Sequence, residues 1–212
     1  MDKFEWATLF LVVLSFIASA WAYPLLPEQI AVHWNARGIA NGFSQKGFGL
    51  FAIPILTLVL LALMHFLPSI DPLHKTSGAF GASYSKFKLA LASFMLVLHA
   101  GTIWYNLGFI FNFGYLMAPL LAGLFFFAGE LCGKAKQNWF IGVRTPWTLS
   151  SEKVWEKTNR LAEKLFKASA LIAILGVFSI ENAVWLAVVP AVASAFYLTA
   201  YSYFEYQKEK KR

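Results

Sequence analysis

Charge is scarce in this chain: 14% of its 212 residues are Asp, Glu, Lys or Arg, against about 25% in an ordinary globular domain. A chain that is 58% hydrophobic cannot hide its apolar surface in one soluble core of this size, so a soluble domain is excluded. Cysteine is nearly absent. Cys132 stands alone, which excludes an intramolecular disulfide and a cysteine-based zinc framework. The four histidines form no H-E-x-x-H or comparable metal signature. No internal repeat and no low-complexity linker is visible. Acidic residues number 11 against 18 Lys and Arg, for a net charge of +7. The placement of that excess points to anionic lipid and membrane orientation, and no direct contact with nucleic acid is expected.

What the chain does have is long uncharged runs. A spanning helix needs about 20 mostly apolar residues. Trp6 to Pro27 is the first candidate, and the stretch between Lys46 and Asp71, with Pro54 inside it, is the second. Leu89 to Gly129 is 41 residues without a formal charge. That is two spans, with the turn supplied by Asn106-Leu107-Gly108 through Asn112-Phe113-Gly114. Ala168 to Ile180 has only 13 residues, but extended back to Leu161 it reaches 20, with Lys164 and Lys167 snorkelling to the interface. Asn182 to Phe204 is the last span. The 21 Phe, 8 Tyr and 8 Trp suit lipid-facing surfaces and interfacial belts. Pro54, Pro119 and Pro190 fall inside spans and free carbonyls that neighbours must satisfy. Ala187, Ala191 and Ala195 form a stripe suited to close helix packing.

Six spans with the N-terminus inside place sixteen of the 18 Lys and Arg on the inside and leave only Arg37 and Lys46 outside. The inside set is Lys3, then Lys75, Lys86 and Lys88, then the basic residues from Lys134 to Lys167, then those from Lys208 to Arg212. This obeys the positive-inside rule. Five spans would put the basic C-terminus outside. Ala20-Trp21-Ala22 resembles a signal-peptide cleavage site, but the first run is too long for a typical h-region and its flank has no positive excess. The expected fold is therefore an all-α polytopic protein of the cell membrane, with six transmembrane helices and both termini cytoplasmic.

Two long loops stand out. The outer one runs from about Leu26 to Gly47, with turn chemistry at Arg37-Gly38 and Asn41-Gly42. The inner one runs from about Gly133 to Lys164. Its second half predicts an amphipathic helix lying at the inner interface and running into the fifth span, capped by Ser150 or Ser151, with Val154, Thr158, Leu161 and Leu165 on one face. The expected organisation is residues 1–68 as a helical hairpin carrying the outer loop, and 69–212 as a four-helix region carrying the inner loop.

These loops carry a resemblance. The inner one contains Asn138-Trp139-Phe140-Ile141-Gly142-Val143-Arg144-Thr145-Pro146-Trp147-Thr148, then Val154-Trp155 and Thr158-Asn159-Arg160. The outer one contains Pro27, His33-Trp34-Asn35 and Gly38, followed by Asn41-Gly42. Both resemble the SdpI family, bacterial and archaeal membrane proteins named for an immunity protein; the outer loop is similar to that family's N-terminal domain of unknown function. Order and spacing cover essentially the whole chain. Many relatives carry His where this chain has Asn159, so a proton or metal role there does not carry over. The resemblance implies immunity to a secreted toxic peptide and, as for the namesake, capture of a small transcriptional repressor on the cytoplasmic side.

The expected binding residues follow from the two motifs: Pro27, His33, Trp34, Asn35 and Gly38 outside, and Asn138, Gly142, Arg144, Thr145, Pro146, Trp147, Thr148, Trp155, Thr158, Asn159 and Arg160 inside. The expected partners are membrane lipids, a toxic peptide outside and a repressor inside. Pro146 holds Thr145 extended. Arg144 is suited to pairing with a carboxylate or lipid phosphate. The inner segment lacks a nucleophile–base pair, and neither a catalytic residue nor a cofactor is expected. The alternatives are a metal-dependent membrane hydrolase using His33 or His99 with Glu130, and a small transporter.

Overall fold

The computed structural model describes residues 2–73 and 81–211; Lys75 and Arg212 of the charge pattern lie outside the described residues. Asp2 starts the first helix, α1 (Lys3–Ala22). Its carboxylate accepts from the Glu5 backbone N–H at 2.8 Å, and the Asp2 N–H donates back to Glu5 at 3.2 Å, a capping box. The bond from Glu5 holds the Asp2 carboxyl below the ordinary carboxylate range. Helix α2 (Lys46–Ile70) follows a loop, then α3 (Ala82–Asn106) and α4 (Gly114–Lys134). The short α5 (Pro146–Ser150) leads into α6 (Glu152–Ile174), and two 3-10 turns connect it to α7 (Ala183–Lys210). Five of these helices, α1, α2, α3, α4 and α7, are long and apolar enough to cross a membrane. The chain is a mostly helical, multi-pass membrane protein.

The loop after α1 departs from an all-helical chain. It folds as an antiparallel hairpin of β1 (Gln29–Trp34) and β2 (Ala40–Gln45). The turn lies at 35–39, where Gly38 has φ +73°, a left-handed conformation that favours glycine. Asn41-Gly42 is not a second turn. Pairing runs Ala31 to Phe43, His33 to Gly42 and Trp34 to Ala40, so Val32 and then Asn41 are extra residues that bulge the ladder.

The amphipathic stretch runs on into the fifth apolar run, as expected: it is the first half of α6. Its buried face, which includes Val154, Trp155, Thr158, Asn159 and Ala162, packs on α4 and α7. The apolar periodicity is real; the partner that covers it is protein.

The helices group three and three. α1, α2 and α3 pack on one another, as do α4, α6 and α7, and among the described residues α3 against α4 is the one helix–helix contact between the groups. The second group closes on alanines, Ala122, Ala170, Ala173 and Ala187, which let backbones approach. The buried line on α7 is Ala183, Ala187, Ser194 and Leu198 rather than the expected stripe, since Ala195 is exposed. The first group is tied by polar side chains. Pro54 lacks an N–H for the Leu50 carbonyl, and the Ser19 hydroxyl supplies the donor from α1 at 2.8 Å. Pro68 likewise frees the Met64 carbonyl, which accepts from the Tyr84 hydroxyl of α3 at 2.6 Å. Lys88 pairs with Glu5 at 2.9 Å, so this charge in a spanning helix is matched.

Candidate functional site

The hairpin is bolted to the turn between α3 and α4 by two asparagines. Asn106, the last residue of α3, accepts from the Ala31 N–H at 2.7 Å and donates to the Ala31 carbonyl at 2.9 Å. Asn112 donates to the Arg37 carbonyl at 2.8 Å. The Phe113 N–H donates to the Gly38 carbonyl at 3.2 Å. A side chain on Gly38 would collide with Asn112, so the glycine is needed for contact as well as for its φ. Within the turn, the Asn35 side-chain oxygen accepts from the N–H groups of Arg37 and Ile39 at 2.9 and 3.2 Å. Beneath the hairpin lies a small core of Ala22, Leu26, Ile30, Leu50 and Ile103.

A cavity of about 380 Å³ opens between the hairpin and the helix ends. His33, Trp34, Asn35 and Gly38 line it together with Ile53, Leu98, Thr102, Phe113, Met117 and Val184. Four of the five outer motif residues are thus brought to one place, with walls from α2, α3, α4 and α7. Pro27 is exposed and does not line it. The lining carries no Asp, Glu, Lys or Arg. Its polar features are hydrogen-bonding groups. The His33 Nδ1 and Asn41 Oδ1 lie 2.6 Å apart. Trp34 stacks on Phe113 and meets Tyr105 edge-on, with centroids 5.4 Å apart. The Trp34 indole N–H is buried and has no hydrogen-bond partner among the described residues. Such a lining suits an uncharged, largely apolar group.

His99 sits fully buried on α3, and its Nε2 lies 2.9 Å from the Ser19 oxygen. The one Ser19 hydroxyl hydrogen has the Leu50 carbonyl at 2.8 Å and the Ser15 carbonyl at 3.2 Å as acceptors; with it on either carbonyl, Nε2–H donates to Ser19 and Nδ1 carries the lone pair. That Nδ1 has no partner. The metal alternative fails on geometry: His33 is on the hairpin, His99 in mid-helix, and Glu130 at the far end of α4, paired with Lys134 at 2.6 Å. Among the described residues no three His, Cys, Asp or Glu gather to hold a metal.

The second motif occupies the opposite end. Asn138 is buried and makes four hydrogen bonds: it accepts from the Phe140 and Ile141 N–H groups and donates to the Lys136 and Ile141 carbonyls. Gly142 has φ +100°. A Cβ there would sit 2.5 Å from the Asn159 side-chain oxygen and 3.2 Å from the Trp155 ring. Asn159 in turn accepts from the Val143 N–H at 2.8 Å and donates to the Trp155 carbonyl at 3.2 Å. The Trp155 indole donates to the Ala135 carbonyl at 2.8 Å. Thr145 and Thr148 form a capping box at the start of α5, with Pro146 at the first turn. The Thr145 hydroxyl lies 3.0 Å from that of Ser202 on α7. Thr158 is buried as well.

The motif therefore divides. Asn138, Gly142, Thr145, Thr148, Trp155, Thr158 and Asn159 build the scaffold. Arg144, Pro146 and Arg160 are exposed, and Trp147 is half-buried against Tyr203. Trp139, also half-exposed, stands beside Arg144, whose guanidinium donates to the Trp139 carbonyl at 2.8 Å. Sequence reasoning missed Gln137, which donates to the Thr148 and Leu149 carbonyls, and Ser202. It also read Asn106, Asn112 and Phe113 only as a turn. Their partners lie 75 residues away in Ala31, Arg37 and Gly38, so no local pattern marks them.

Comparison with known proteins agrees with both loops. Residues 134–202 match the SdpI/YfhL protein family, and residues 10–58 match the domain of unknown function DUF1648. The chain is 30% identical over 203 residues to "Immunity protein SdpI" of Bacillus subtilis (strain 168), covering 95% of each. No solved structure matches. With one motif closing each end of the helices and similarity running nearly end to end, the chain belongs to the SdpI/YfhL protein family.

Proposed function

We propose that this chain is an immunity protein of the cell membrane, which protects its host by binding a secreted toxic peptide in the cavity beneath the hairpin. The observation that carries the reading is the 30% identity over 95% of the chain to a protein named for immunity. The cavity supports it, because it gathers His33, Trp34, Asn35 and Gly38 around an uncharged apolar space. In this reading α6 spans as well, giving six spans. The charge bias supports a cytoplasmic position for both termini and the Arg144 loop, with the hairpin outside. On the cytoplasmic side, Trp139, Arg144 and Arg160 form the exposed surface offered to a small repressor, while the buried motif residues hold that surface in shape. Binding, not bond-breaking, is the whole function. Expression in a sensitive strain tests it. Cells carrying the chain survive at least one secreted peptide that kills the parent strain; no gain in survival across a panel of such peptides contradicts the reading.

A further inference from the structure

The seam between the two helix groups carries a second cleft, of about 420 Å³, which shares no lining residue with the hairpin cavity. Its walls are Leu89, Phe94 and Val97 of α3 and Pro119, Gly123 and Phe127 of α4. A Cβ on Gly123 would meet nothing within 4 Å, so the absent side chain leaves a slot. From Lys86 to Val97, α3 rises roughly 17 Å, a little more than half of a hydrocarbon core about 30 Å thick. The cleft is therefore as long as one leaflet is deep.

Only one end of it is charged. Lys86 lines that end, and so does Phe4, whose ring lies 5.3 Å beneath the Lys3 ammonium. Lys86 is 3.7 Å from Glu130, but the same carboxylate oxygen is held by Lys134 at 2.6 Å. The Lys86 charge is thus only partly offset, and its side chain is 39% exposed. An apolar slot of leaflet depth with one partly offset ammonium group at its mouth matches an acyl chain below and a phosphate above.

We propose that one anionic glycerophospholipid sits in the α3–α4 seam, its acyl chain over Gly123 and its headgroup phosphate at Lys86. The lipid fills the joint between the two helix groups. Native mass spectrometry of the purified full-length chain, mixed with phosphatidylglycerol or phosphatidylcholine, tests this. One phosphatidylglycerol is expected to stay bound, with about a fivefold preference over phosphatidylcholine, as one surface lysine provides. Lys86→Gln is expected to remove that preference while leaving the slot open. Gly123→Phe is expected to lose the retained lipid of either kind, and Ala90→Leu on the facing wall replaces it should the first variant aggregate. Equal retention of the two headgroups by the unmodified chain, or undiminished retention in the filled-slot variant, overturns the proposal.

Discussion

The Trp34 indole lies on the Phe113 ring, centroids 3.8 Å apart and planes 21° from parallel. This contact joins the hairpin to the start of α4 and makes one wall of the cavity at the same time. The two roles separate by substitution. Trp34→Ala removes the ring pair and is expected to lower stability by about 1 kcal/mol or more. Trp34→Phe keeps a ring on Phe113 but removes the rest of the indole from the cavity wall. It is expected to lose less stability than Trp34→Ala and, by reshaping that wall, to weaken protection by up to about tenfold, the equivalent of about 1.4 kcal/mol of lost contact. Thermal unfolding in detergent, set beside the peptide dose that halves survival, checks both halves.

Gly142→Ala forces a side chain into a left-handed backbone already closed by Asn159 and Trp155. The expected cost is about 1–3 kcal/mol. Asn159→Ala leaves the Val143 N–H without its acceptor and is expected to cost a similar amount. Unfolding curves for the two variants and their combination read the coupling. Because both act on one turn, the double variant is expected to lose less than the sum.

Ser19→Ala leaves the Leu50 carbonyl, already deprived of a donor by Pro54, unpaired inside the membrane. It also removes the hydrogen-bond partner of His99 Nε2. Polar bonds between spanning helices contribute about 1 kcal/mol each, so a loss of roughly 1–2 kcal/mol is expected. Ser19→Thr restores the hydroxyl and most of the stability. Equal melting of all three proteins would show that the bond contributes nothing.

Five of the six expected spans were legible because charge is excluded from lipid, and that exclusion leaves its mark on consecutive residues. The hairpin was not. Its β1 buries Ile30 and Ala31 side by side, which breaks strand alternation. Asn41-Gly42, a good turn pair, is spent on a bulge. The face of α6 was readable, but periodicity does not say whether lipid or protein covers it. In the Asn138–Arg160 motif the residue types were visible and their roles were not. Asn159 and Thr148 look as polar as Arg144 in the sequence, yet they spend their hydrogen bonds inside the fold.

Orientation is open to direct reading with the single cysteine removed as Cys132→Ser. Arg37→Cys on the hairpin is expected to react with a membrane-impermeant maleimide on intact cells. Arg144→Cys is expected to react only after permeabilisation. Labelling of Arg144→Cys on intact cells would reverse the assignment of the two faces.

The most direct test is to fill the cavity without touching its motif residues. Met117 lines the space from α4, and Met117→Trp occupies it. At equal abundance in the membrane, cells carrying Met117→Trp are expected to die at the peptide dose that kills the parent strain, while cells with the unmodified chain survive. Full survival with the cavity filled would contradict binding beneath the hairpin.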